Sequence, residues 1–67
     1  MPHIRLNGEP KELPEGTTVA DLVSGLGLSS RPVAVERNRQ VVSRDDHGDV
    51  TLEEDDQIEI VSFVPGG

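Results

Sequence analysis

Thr18-Val19-Ala20-Asp21-Leu22-Val23-Ser24-Gly25-Leu26-Gly27 is the stretch of this chain whose apolar residues repeat at helical spacing. Val19, Leu22, Val23 and Leu26 fall at i, i+3, i+4 and i+7, one face of a helix of about nine residues. Thr18 can cap its start, with Asp21 three residues on in place of the Glu or Gln of a capping box. Gly27 suits the left-handed residue that ends such a helix, while Gly25 inside the pattern weakens it. A helix this short is held by packing rather than by propensity.

On both sides the period drops to two. Upstream, His3-Ile4-Arg5-Leu6-Asn7 alternates polar and apolar, and Asn7-Gly8 is a strong hairpin signal because both residues tolerate positive φ. Glu9 to Leu13 is the expected return strand, and Pro10 and Pro14 confine it to a sheet edge. Downstream, Val33-Ala34-Val35-Glu36-Arg37 and Gln40-Val41-Val42-Ser43 flank Asn38-Arg39 as a second hairpin, although Arg39 is less willing than Gly at positive φ. Asp45 to Asp49 reads as a loop, Val50-Thr51-Leu52 as a turn or bridge, and Glu53 to Asp56 as a solvated corner. Gln57-Ile58-Glu59-Ile60-Val61-Ser62-Phe63 is the strongest strand. Two hairpins, one helix and a last strand predict an α+β fold of two layers around one core. The expected core is Ile4, Leu6, Val19, Leu22, Val23, Leu26, Val33, Val35, Leu52, Ile58 and Ile60.

Composition narrows the function. Leu, Ile, Val and Phe make up 19 of 67 residues, enough for a small core. There is no cysteine, which removes disulfides, thiolate metal sites and cysteine nucleophiles together. Residues 1–44 hold six basic groups and five acids, whereas 45–67 hold eight acids and no base. That balance argues against nucleic acid and against anionic membrane surfaces, both of which need clustered Lys and Arg. No apolar run approaches the ~20 residues of a membrane span, and Met1-Pro2-His3-Ile4-Arg5 does not open like a signal peptide. A cytoplasmic protein with a protein partner is the expectation.

No enzyme is visible in the residues. His3 and His47 read as exposed or turn histidines, with no Ser or Cys motif around either. Asp45-Asp46-His47-Gly48-Asp49 lacks the order and the distal Glu of a calcium loop, so no metal site is expected. Gly25-Leu26-Gly27 is wrongly placed for a phosphate cradle, and no cofactor is expected. The unusual feature is Phe63-Val64-Pro65-Gly66-Gly67. Two residues without side chains make a thin lead that can thread a narrow channel and present a carboxylate for activation as an acyl adenylate. Taken alone, it fits equally well small residues that fray at a terminus.

Taken together, the residues resemble the ThiS family, the sulfur carriers of thiamin biosynthesis within the wider ubiquitin-like carriers. Ile4-Arg5-Leu6-Asn7-Gly8-Glu9 is similar to the family's opening hairpin, and Thr18-Val19-Ala20-Asp21-Leu22 to its helix start. Val33-Ala34-Val35-Glu36-Arg37-Asn38 resembles its third strand and turn, and Arg44 a recurrent arginine. Asp56-Gln57-Ile58-Glu59-Ile60-Val61 leads on to Gly66-Gly67. The chain departs at Asp55, where members usually carry Gly, and near His47, where an aromatic is common.

The resemblance implies a β-grasp domain over residues 1–63, a flexible tail over 64–67, and a carrier rather than an enzyme. A ThiF-like adenylating enzyme would activate the Gly67 carboxylate with ATP, with Gly66 in the channel. A cysteine desulfurase would supply the sulfur that makes a thiocarboxylate, and thiazole synthase would receive it. Strand parity adds a docking surface: if Ile58 and Ile60 face the helix, Glu59, Val61 and Phe63 face away. Phe63 folded over the edge of the core is the other placement. Three competing readings share this chain: a molybdopterin-synthase small subunit, a carrier or protein modifier of another pathway, and a binding module with an unmodified tail. The short length and the Leu-Asn-Gly hairpin favour thiamin.

Overall fold

The computed structural model describes residues 1–63. Strands β1 (His3–Leu6), β2 (Glu9–Glu12), β3 (Val33–Arg37), β4 (Gln40–Val42) and β5 (Gln57–Ser62) form one sheet in the order β2-β1-β5-β3-β4. The two hairpins are antiparallel, β5 lies between them, parallel to β1 and antiparallel to β3, and this is the mixed sheet of a β-grasp fold. The expected tail at 64–67 lies outside the described residues.

Both hairpin turns follow from their central residues. Asn7 and Gly8 stand at φ of 51° and 86°, and Asn38 and Arg39 at 51° and 71°. Positive φ at both central positions matches the right-handed twist of the flanking strands. Arg39 adopts this conformation despite its side chain. β2 is an edge strand with every residue exposed, as Pro10 requires.

Helix α1 (Val19–Gly25) starts at Thr18, whose hydroxyl accepts from the Asp21 N–H while the Asp21 carboxylate accepts from the Thr18 N–H. Thus Asp closes the capping box as Glu would. The helix ends sooner than expected. Leu28 N–H reaches the Val23 carbonyl at 3.1 Å and Gly27 N–H the Ser24 carbonyl at 3.0 Å, with Gly27 at φ 75°. This Schellman turn swings the chain inward at Leu28, which packs against the core. Leu26, expected inside, is therefore left 41% exposed.

The core holds Ile4, Leu13, Val19, Leu22, Val23, Val35, Leu52, Ile58 and Ile60, with Leu6, Leu28, Val33, Val42 and Val50 packed at its margin. Leu13 was not expected there. Its N–H donates to the Pro2 carbonyl at 3.0 Å, which carries the hairpin one residue past β2 and turns Leu13 inward. His47 also differs from expectation. It follows a 3₁₀ turn (Arg44–Asp46) and is only 8% exposed, with Nε2 3.2 Å from the Val42 carbonyl. The imidazole thus packs beneath the loop. Thr51 forms the expected bridge, paired with Thr18 at the helix entrance.

Candidate functional site

The site is built on β5, because β5 carries the chain toward Gly66-Gly67. Its start is anchored. Asp56, expected at a solvated corner, is 5% exposed, and its carboxylate accepts from Arg37 Nε at 2.9 Å, Asn38 Nδ2 at 3.1 Å and the Glu53 N–H at 2.8 Å. Burial pushes this carboxyl up, but the Glu53 amide, the Arg37 guanidinium and the Asn38 amide outweigh it and hold it below the usual range. Asp55 just before it takes φ 68°, a left-handed conformation that Asp adopts more readily than most residues other than Gly. The second hairpin grips the next residue as well: Asn38 Oδ1 accepts from the Gln57 N–H at 2.9 Å.

From there the strand alternates as its sequence requires. Ile58 and Ile60 are buried under the helix layer, while Glu59, Val61 and Phe63 are exposed. Val61 is 56% and Phe63 54% exposed, so Phe63 is not folded over the edge of the core. Phe63 N–H donates to the Pro32 carbonyl at 3.1 Å, which holds the backbone against the start of β3. Across β3, Ala34 stands opposite Val61 and Glu36 opposite Glu59. The outer face of the sheet thus has an apolar end at Ala34, Val61 and Phe63, next to two facing carboxylates. Like charges directly opposite on a sheet are unfavourable, and a cationic partner relieves them.

The remaining candidates are not brought to this face. His3 sits between two carboxylates, with Glu12 at 2.8 Å from Nε2 and Glu54 at 3.2 Å from Nδ1. The hydrogen bond and charge of Glu54, followed by Glu12, raise its pKa above the ordinary 6.5. His3 N–H also donates to Glu54, whose own pKa is lowered first by that bond. Both groups are exposed, and the cluster ties the sheet edge to the 53–56 corner. Among the described residues no group of three or more His, Cys, Asp or Glu is arranged to hold a metal ion. No helix there is long and apolar enough to cross a membrane. Gly66 and Gly67 lie outside the described residues.

Sequence reasoning missed the two asparagine side chains that hold β5. Asn38 binds its start, and Asn7 binds Ile60, its N–H to Oδ1 at 2.9 Å and its carbonyl from Nδ2 at 3.2 Å. Both were read as turn residues. The only signal available was the choice of Asn over the equally suitable Gly or Asp.

Comparison with known proteins supplies the family. The family model described as "ThiS family" matches residues 4–67. A thiazole synthase of Magnetococcus marinus is 56% identical over 64 residues, 96% of this chain but 20% of that protein. The chain thus spans about a fifth of the length of that relative. The Bacillus subtilis sulfur carrier protein ThiS is 37% identical over 65 residues, covering 96% of this chain and 98% of that one. The crystal structure of a thiamine biosynthesis protein (ThiS) from Geobacter metallireducens superposes with a TM-score of 0.79 at 29% identity, over 97% of this chain and 99% of that one. With a match running nearly end to end and a β-grasp fold in common, this chain belongs to the ThiS family.

Proposed function

We propose that this protein is the sulfur carrier that feeds formation of the thiazole ring of thiamin, with the Gly67 carboxylate as the cargo site. The carboxylate attacks the α-phosphorus of ATP on a ThiF-like adenylating enzyme, pyrophosphate leaves, and an acyl adenylate forms. A persulfide drawn from a cysteine desulfurase then displaces AMP to form an acyl disulfide. A thiol that attacks this disulfide, itself becoming part of a new disulfide, releases the thiocarboxylate for thiazole synthase. Gly66 keeps the lead thin enough for a channel. Residues 1–63 serve as the handle and 64–67 as the lead. The protein supplies no catalytic group, and the chemistry belongs to its partners.

The observation that carries this reading is the outward face of β5. Val61 and Phe63 lie uncovered immediately before the Gly-Gly tail, with Glu59 beside them, so a partner that docks there receives the tail in a defined direction. Similarity to the Bacillus subtilis carrier supports the cargo, and similarity to thiazole synthase supports the recipient. Deleting Gly67 should abolish pyrophosphate release by a ThiF-like enzyme supplied with ATP, while leaving the melting transition in place. Undiminished pyrophosphate release from the shortened chain would overturn the assignment of Gly67.

A further inference from the structure

We propose that Asn7 is a positioning residue for activation of the tail: its side-chain amide replaces a missing strand residue beside Ile60 and keeps the end of β5 in line. The inference rests on the carrier reading above. β1 pairs with β5 only through Arg5–Gln57 and Leu6–Ile58, and its last backbone bond runs from Asn7 N–H to the Ile58 carbonyl at 2.8 Å. The chain then turns away at Asn7-Gly8. In a parallel pair the next groups to be met are the N–H and carbonyl of Ile60, which point to the same side as those of Ile58. Asn7 meets both with one side chain, Oδ1 accepting at 2.9 Å and Nδ2 donating at 3.2 Å, 53 residues away in sequence. Among the described residues, no hydrogen bond from the first hairpin reaches β5 beyond Ile60.

The turn alone does not call for this. At φ 51° Gly is accepted as readily as Asn, so Asn7→Gly preserves the turn and removes only the amide. Without it, the Ile60 backbone loses both partners on that side and the strand end opens more often. A carrier whose tail-bearing strand is in line for only part of the time binds its activating enzyme with an affinity reduced by that fraction.

The test uses the whole chain with an ATP-dependent ThiF-like adenylating enzyme, following pyrophosphate release, together with hydrogen exchange at the Ile60 amide. Asn7→Gly should speed exchange at Ile60 about tenfold, the scale of lost hydrogen bonds. It should raise KM for the carrier about threefold or more at unchanged kcat. Asn7→Asp, which keeps the acceptor and loses the donor, should fall between Asn7→Gly and the native chain. Thr18→Ala weakens the helix cap on the opposite layer and serves as the stability control, with KM unchanged. Native kinetics in Asn7→Gly, or an equal rise of KM in Thr18→Ala, would overturn the positioning role. No pyrophosphate from the native chain would instead overturn the carrier reading, and this role with it.

Discussion

At its start, β5 leaves a corner where the buried Asp56 carboxylate meets Arg37, Asn38 and the Glu53 amide, and where Asn38 also holds Gln57. From Ile60 on, it is held on the β1 side by one asparagine side chain, while on the other side the ladder with β3 runs through Val61 and Ser62 and ends at the Pro32 carbonyl. The start is buried and charged, and the end is exposed and apolar. On the proposed carrier reading, a strand that delivers its end to a partner would benefit from this difference. The anchored start fixes the direction of the strand, and its end leaves the side chains of Val61 and Phe63 exposed.

Breaking the anchor should have the largest effect. Asp56→Ala removes one carboxylate from three donors and leaves the Arg37 guanidinium without its closest partner, so a loss of about 3 kcal/mol is expected. For a domain this small, that lowers the melting temperature by roughly 10–20 °C. A shift of only a degree or two in a thermal melt would remove the contrast between the two ends.

The same carboxylate predicts the acid limb of stability. Its folded pKa lies below the ordinary 3.8, so its contribution is fully present above 3.8 and is lost as pH falls through the depressed value. Urea titrations from pH 6 downward should show a decline that is shallower in Asp56→Ala. An identical decline in both proteins would place the acid sensitivity elsewhere.

The exposed end should behave the opposite way. Phe63→Ala removes an exposed ring and should change stability by less than about 0.5 kcal/mol. It should weaken binding to the adenylating enzyme by about tenfold or more, as truncation of a central aromatic does. Calorimetric titration measures the second and a melt the first; a large loss of stability with unchanged binding would return Phe63 to the core. Facing Glu36 and Glu59 add that this binding should weaken as salt is added.

The smallest effect is expected at His3. Its folded pKa lies above 6.5, so its pairing with Glu54 and Glu12 contributes fully below 6.5 and is lost as pH rises through the raised value. The pair is exposed, so the change should be small, and His3→Gln should remove it. Proton NMR of the ring gives the direction of the shift directly.

What could be read from the sequence was what repeats or punctuates. The hairpin dipeptide Asn7-Gly8, the i, i+3, i+4 face of the helix, its Thr18 cap and the alternation of β5 each rest on local rules, and each is present in the structure. The departures are where tertiary contacts decide. Leu26 has the correct spacing for the core, but the Schellman turn ends the helix and sends Leu28 inward in its place. Asp56 sits in an acidic run that reads as solvated, and only the approach of Arg37 and Asn38, 19 and 18 residues earlier in the chain, makes it a buried anchor. His47 is buried because its loop folds back over Val42, which no local pattern encodes. The exposure of Glu59, Val61 and Phe63 was legible because strand parity needs only the inward face to be known. The support that Asn7 gives to Ile60 was not, since a side chain bonding across 53 residues leaves no local trace.

The most direct test of the carrier reading is the intact mass of the protein after incubation with ATP, a ThiF-like adenylating enzyme and a cysteine desulfurase with cysteine. The account predicts a gain equal to one oxygen-to-sulfur exchange, located at Gly67 by fragmentation and absent without ATP. An unchanged mass under conditions in which the enzymes thiocarboxylate the Bacillus subtilis carrier, or a gain located on any other residue, would contradict it.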